Sequence, residues 1–310
     1  MNMKDRKTTR SPRSPLVSVI MPVYNAEAFV ADAIDSILSQ TYRNFELVIV
    51  DDASQDTSWS IIQKYQRKYP RVIKAIRLKK NVNRGGDGAG NIAFQHTNPK
   101  SAFIARIDAD DIALPNRLAV QVKYMQQHPE VAVVGSSVDI INDQNEVVGR
   151  KTVAHDHEEI YRRYFEIHPM IHPTLMIRRA TLLDSKNLYK LELSANNDYL
   201  TFAQMISQGK KFANLKETVL LYRVHDSNDS LANIKRTFFN TLKIRHQMVT
   251  QYGYTASLYS WAVLISQVFA LTFVPEKVLL LGYLMARGMV TPQKVLSNML
   301  KKPEFKLATA

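Results

Sequence analysis

Residues 16–22 form a short, β-branched apolar run that stops at Pro22, the pattern of a strand buried on both faces. Tyr24 and Asn25 then mark a turn. Residues 28–40 place Phe29, Val30, Ala33, Ile34, Ile37 and Leu38 at helical spacing, and residues 45–50 are apolar again before Asp51 and Asp52. Asp56 or Thr57 is suited to cap a helix running to Lys68, and residues 72–78 predict a third strand. A glycine-rich loop over 81–90, a short helix over 91–96, a strand over 103–107, a helix from Pro115 to His128 and an apolar strand over 131–140 continue the series. Strands alternating with helices predict an α/β domain: an open, mainly parallel sheet flanked by helices and joined by right-handed crossovers.

In such sheets ligands bind beyond the carboxyl ends of the strands. The polar clusters of this chain fall there: Tyr24 with Asn25, Asp51 with Asp52, residues 81–90, and Asp108 to Asp111. The last is the most pronounced, because the run Ile104-Ala105-Arg106-Ile107 ends abruptly in Asp108-Ala109-Asp110-Asp111. Residues two apart on a strand share a side, so Asp108 and Asp110 are expected to face one point while Asp111 turns away. Two such carboxylates suit a hard divalent ion, Mn²⁺ or Mg²⁺, which takes carboxylate, water and phosphate oxygens. The alternative is a pair of solvated loop aspartates. The glycine loop lacks Gly-Lys-Ser/Thr and follows the third strand, so it is neither a P-loop nor a dinucleotide fingerprint. Its amides, leading into a helix, are suited to approach a phosphate; a surface turn is the other reading.

Charge divides the chain. The formal +13 over 310 residues resolves into +4 in residues 1–15 and +8 in residues 233–310, leaving the middle nearly neutral. A folded basic face with interleaved aromatics, as nucleic-acid binding requires, is therefore not expected. Residues 1–15 read as a basic flexible arm without the apolar run of a signal peptide. The absence of cysteine excludes disulfides and thiolate zinc sites, and fits a reducing cytoplasm. From about residue 233 the pattern is helical. Apolar runs over 261–274 and 278–290 fall short of the roughly 20 residues of a spanning helix. They predict a helical appendage that either packs as a soluble cap or dimer surface, or lies on an anionic membrane with Lys294, Lys301, Lys302 and Lys306 at its edge. The expected location is the cytoplasm, peripheral to the inner face of the membrane in the second case.

Several ordered motifs resemble glycosyltransferase family 2, of the GT-A (Rossmann-like) fold and bacterial surface-polysaccharide type. They are Val17 to Asn25, the helix end Ser36 to Tyr42, Asp51-Asp52-Ala53-Ser54-Gln55-Asp56-Thr57, the loop Asn83-Arg84-Gly85, and Asp108-Ala109-Asp110-Asp111. The resemblance covers about residues 16–232, with a nucleotide-binding half over 16–110 and an acceptor half over 111–232. It implies an inverting transfer from a nucleotide-diphospho-sugar, of the UDP type, to a glycan or lipid-linked acceptor. Carried over, Pro22, Tyr24 and Asn25 belong to the nucleoside pocket, with Tyr24 packing on the base. Asp52 accepts a hydrogen bond from a uracil-type ring, Arg84 and Gly85 belong to the donor loop, and Asp108 contacts ribose or sugar. Asp110 holds the divalent ion on the diphosphate.

The same resemblance makes Asp198 the general base; an N-cap for a helix over 199–207 is the plainer reading, and Glu192 the fallback base. In Tyr222-Arg223-Val224-His225, His225 is a candidate metal ligand and Arg223 a candidate phosphate partner. His172 is a weaker acceptor-side candidate. His155, His157 and His168 fit no compact zinc set. Two departures stand out: Asn197 replaces an expected acid, and Gly90 stands where a basic residue is usual, a charge that Arg84 or Arg223 would have to supply. On those departures a non-catalytic sugar-nucleotide-binding or scaffold protein of the same fold stays open.

Overall fold

The computed structural model describes residues 14–82, 86–225, 234–275 and 278. The basic arm up to residue 13, the loop residues Arg84 and Gly85, and nearly all of the second apolar run of the appendage lie outside the described residues.

Strands β1 (Val17–Val23), β2 (Phe45–Asp51), β3 (Ile73–Arg77) and β4 (Phe103–Arg106) form as expected and pair in parallel in the order β4-β1-β2-β3. β1 and β4 are wholly buried and β2 nearly so, as suits a pleated surface packed on both sides, while the edge strand β3 buries only Ile73. Val17, Val19, Met21 and Val23 of β1 point into one apolar core and Ile20 into the other, so the sheet separates two cores. The first core is closed by α1 (Val30–Leu38), α2 (Ser58–Lys68) and α4 (Arg117–Gln127), and α1 supplies Val30, Ala33, Ile34 and Ile37 from one stripe. The second is covered by α3 (Asp87–Gln95), α5 (His157–Arg163), α6 (Asn197–Ser207) and part of α7 (Ile234–Thr250).

The structure departs from the predicted pattern in three places. The apolar stretch 131–140 is two strands, β6 (Val131–Ser136) and β7 (Val138–Ile141), which break at Ser137 and enter different sheets. The loop ends earlier than expected, since α3 begins at Asp87 after Gly86 in the left-handed region (φ 80°) and therefore contains Gly88 and Gly90. A three-residue strand, β9 (Met176–Arg178), runs antiparallel between β4 and β6 and completes the sheet β10-β6-β9-β4-β1-β2-β3, with β10 (Lys211–Leu215) at its edge. A smaller sheet, β5-β11-β7-β8, joins β5 (Ile112–Ala113), β11 (Leu220–Arg223), β7 and β8 (Val147–Lys151). Strand β5 directly follows the aspartate cluster.

The appendage is α7 and α8 (Leu258–Phe273). α8 is docked by Ser260 Oγ donating to Glu166 Oε1 (3.0 Å), Gln267 donating to the Glu166 carbonyl (3.1 Å) and Trp261 packing edge-on against Phe165. Its opposite face leaves Ile265, Phe269 and Phe273 exposed. Among the described residues no helix is long and apolar enough to cross a membrane.

Candidate active site

The strand ends meet at one rim of the large sheet. Past β1, Tyr24 stands half exposed, and Asn25 adopts φ 47°, the left-handed region that Asn tolerates better than most residues. Asn25 is tied to the next strand end by its backbone N–H donating to Ser54 Oγ (3.0 Å) and by its Oδ1 accepting from Gln55 N–H (2.8 Å). Pro22 is buried; the pairing of β1 with β4 stops at Ile20, two residues before this residue that has no N–H to give. Asp52 is buried beside it and accepts from the Val82 N–H at 2.7 Å, which ties the end of β2 to the start of the glycine loop. A hollow of about 380 Å³ lined by Ala53, Gln55, Arg77, Leu78 and Lys79 adjoins this corner. The larger hollow, about 460 Å³ between α5 and the start of α8, contains none of the strand-end residues.

The three aspartates after β4 have three different environments. The strand ends at Arg106, so Asp108 and Asp110 lie on the turn beyond it and not on the strand, and alternation along a strand does not set their directions. Asp108 Oδ1 accepts from Nε and Nη2 of Arg106, at 2.9 and 2.8 Å. Asp110 Oδ2 lies 3.0 Å from His225 Nε2. Asp111 is buried, accepts from the Arg223 N–H at 2.9 Å, and faces Arg117. Burial, with Asp110 and Asp108 adding to it, pushes the Asp111 carboxyl well above the usual carboxylate range.

Arg223, expected as a phosphate partner, lies buried beneath the aspartate turn. Its buried guanidinium donates to the carbonyls of Asp110 (2.7 Å) and Asn142 (2.7 Å) and to Asn145 Oδ1 (2.6 Å), and it lies over the Phe29 ring. It braces the aspartate turn from beneath. Arg117, equally buried, braces it from the other side by donating to the Arg106 carbonyl (2.5 Å), and burial lowers its pKa to about 10.

Asp110 and His225 bring a carboxylate and an imidazole together, and among the described residues no cluster of three or more ligating side chains forms. This donor pair fits Mn²⁺ or Mg²⁺ completed by phosphate and water, and does not make an all-protein cage.

In the half expected to take the acceptor, helix α6 begins at Asn197, so Asp198 sits inside its first turn and is not the N-cap, which is Asn196 in the left-handed region. The Asp198 carboxylate is pointed at by His168 Nε2 and His172 Nδ1, each 3.5 Å from Oδ2. Burial raises its pKa, and His172 and His168 outweigh that and hold it below the usual carboxylate range. His172 Nε2 in turn meets the Tyr189 hydroxyl at 2.7 Å, and burial pulls the His172 pKa down to about 4. The Asp198 N–H donates to Asp87 Oδ2 (3.3 Å), and burial, reinforced by Asp198, pushes the Asp87 carboxyl upward.

The fallback base Glu192 points elsewhere, pairing with Lys190 (2.8 Å) and Gln247 at the solvent edge. Asn197 is a clip. Its amide accepts from the Leu193 N–H (2.9 Å) and donates to the Leu193 carbonyl (3.0 Å), a two-way task no carboxylate performs. Sequence reasoning missed Arg106, Asp87, Tyr189 and Arg117. The one available signal was a charged residue, Arg106, inside an otherwise apolar strand.

A mainly parallel sheet with aspartates gathered past its strand ends, and an antiparallel strand inserted beside them, defines an α/β protein of the GT-A class. Comparison with known proteins is more specific. Residues 18–185 match the model of glycosyl transferase family 2. An uncharacterized glycosyltransferase of Methanocaldococcus jannaschii is 31% identical over 80% of this chain and 85% of its own length. The O-antigen biosynthesis glycosyltransferase WbnJ of Escherichia coli is 28% identical over 69% of this chain and 81% of its own. Among solved structures, S. aureus TarS residues 1–349 in complex with UDP-GlcNAc superposes with a TM-score of 0.60 at 19% identity, over 83% of this chain and 73% of that one. The mannosyltransferase PcManGT of Pyrobaculum calidifontis, in complex with GDP-Man and Mn²⁺, gives 0.55 at 17% identity over 94% and 89%. The chain belongs to glycosyltransferase family 2 and is a glycosyltransferase.

Proposed function

We propose that the chain transfers a sugar, with inversion, from a nucleotide-diphospho-sugar of the UDP type to a hydroxyl of a glycan or lipid-linked acceptor in surface-polysaccharide synthesis. The observation that carries the reading is that Asp198, the candidate base, joins the donor-side turn through Asp87 and Arg106. One carboxylate at the acceptor and a separate group at the diphosphate are what a direct displacement needs. Asp198 takes the proton of the acceptor hydroxyl as its oxygen bonds to the anomeric carbon, and the bond to the diphosphate breaks on the opposite side. The ionised resting carboxylate is a weak base, and the negative charge of an arriving donor raises its pKa toward the working range. Tyr24 packs on the base and Asp52 orients it, next to the hollow lined by Arg77 and Lys79. Asp110 and His225 would hold the divalent ion, which when bound neutralises charge on the leaving diphosphate. TarS and PcManGT, solved with UDP-GlcNAc and with GDP-Man and Mn²⁺, support a sugar nucleotide and a metal as ligands, and the O-antigen relative supports a glycan acceptor.

Turnover of a panel of nucleotide sugars, with Mn²⁺ and with EDTA, tests this reading. Turnover should require the metal and give an inverted anomer by NMR. Asp198→Asn should lower kcat by about 10²–10⁴-fold, the usual share of general base catalysis; transfer left intact in that variant would refute the base. The exposed apolar face of α8, together with the net charge of +8 in the sequence of 233–310, supports seating at an anionic membrane where a lipid-linked acceptor resides.

A further inference from the structure

Gly90 leaves room for another residue's charge. A Cβ at position 90 would stand 2.8 Å from Arg106 Nη1 and 2.9 Å from Tyr189 Cε2, and a Cβ at Gly86, where φ is +80°, would stand 3.2 Å from Arg106 Nη2. The guanidinium thus lies in a slot made by two glycines of the α3 start and by the Tyr189 ring. It is 3% exposed. Two of its nitrogens converge on Asp108 Oδ1, while Nη1 has no hydrogen-bond partner among the described residues. Asp87, whose Oδ1 is likewise buried without a partner among the described residues, interacts with its charge, and so do Tyr189 and His172.

A buried ionic cluster is a poor stabilising device, since well-packed apolar side chains of the same volume usually serve stability as well or better. The cluster joins two sides of the candidate active site. From Arg106 one arm reaches Asp108 on the donor turn. On the other side its charge acts on Asp87, which holds the N–H of Asp198, and on His172, which lies against the Asp198 carboxylate.

We propose that Arg106 is a positioning residue that fixes Asp108 and, through Asp87 and His172, the Asp198 carboxylate, from the space left open by Gly90. This role rests on the transfer reaction proposed above. The groups facing Arg106 are Asp108 from its own turn, Asp87 from α3, Tyr189 from the segment before α6, His172 from the 3₁₀ turn His172–Thr174 and, beyond them, Asp198 from α6. Burial is the main cause of the low His172 pKa, and the positive charge of Arg106 adds to it. Loss of that charge lets His172 take up a proton at higher pH.

The test compares Arg106→Met, Arg106→Lys and Gly90→Ala with the wild-type chain. Three readouts are used: thermal stability, kcat and donor KM, and the pH titration of the His172 ring by NMR, assigned with His172→Gln. Gly90→Ala keeps the arginine but pushes its guanidinium from the slot, while alanine suits a helix interior better than glycine. In Arg106→Met, kcat is expected to fall about 100-fold, the scale of an ångström-level misplacement, and the His172 midpoint to rise from about 4. Arg106→Lys should keep the His172 titration and still lose kcat. Gly90→Ala should lose kcat more than stability. A His172 midpoint unmoved in Arg106→Met overturns the inference whatever the activity. So do variants that keep kcat within twofold, or lose it only in proportion to unfolded protein. A wild-type chain that turns over no nucleotide sugar instead refutes the transfer reading, and the His172 titration still decides the role of Arg106.

Discussion

Asn197 illustrates how one side chain reads differently in a motif and in a fold. In the sequence motif it stands where an acid was expected; in place it closes two backbone groups of Leu193 in a fully buried setting. Asn197→Asp is nearly isosteric but removes the donor to the Leu193 carbonyl. It should therefore destabilise the chain by about 1–3 kcal/mol, the cost of an unsatisfied buried group, measured by urea unfolding at neutral pH. His172 makes a second prediction. Its pKa is about 4 in the fold against an ordinary value of 6.5, so between those values the unfolded chain binds the extra proton. Stability should fall as pH drops from about 6.5 to 4, by up to about 3 kcal/mol if the whole shift is realised. His172→Gln should flatten that slope, and an unchanged slope would show that other groups set it. Tyr24, Asp52, Asp108 and Asp110 were legible as site candidates because polar residues just past apolar strands stand out in one dimension. Arg106, Asp87 and Tyr189 were not, because their significance is mutual and they come from separate elements. The burial of Arg223 was not legible either, because its motif shows a charge and not its surroundings.

At the scale of elements, β1 to β4 and the helices between them were readable from periodicity, since each carries an uninterrupted apolar pattern bounded by turn residues. Strands β6 and β7 were merged, because hydrophobicity continues across Ser136 and Ser137 while the backbone changes sheets. Only the small residues Gly135, Ser136 and Ser137 hint at the break. Helix α8 shows the opposite case. Its pattern is apolar on nearly every side, and the structure divides it into a docked face with Ser260, Leu264 and Gln267 and an exposed face with Ile265, Phe269 and Phe273. The double change Ile265→Glu and Phe269→Glu should abolish flotation with anionic phosphatidylglycerol vesicles. Because both positions face outward, the melting temperature should stay within the range of surface substitutions, about ±0.5 kcal/mol. Vesicle binding equal to wild type would remove the membrane reading of this helix.

For the whole molecule, two apolar cores on opposite faces of one sheet predict cooperative unfolding. Ile20, wholly buried in the second core, should cost about 2–5 kcal/mol when truncated to alanine and should lower both near- and far-UV signals together. Strand β9 carries a further consequence. Residues Met176 and Ile177 pair with Ala105 and Ile104 on one side and with Val134 and Val133 on the other, so this short strand bridges β4 to β6. As the polypeptide leaves the ribosome, β1 to β4 and then β6 emerge well before the strand that joins them. Until it arrives, two open edges of apolar strand face water, the condition under which nascent chains pair with one another. A nascent chain stalled near residue 170 should therefore recruit holdase chaperones, and one extended past β10 should release them.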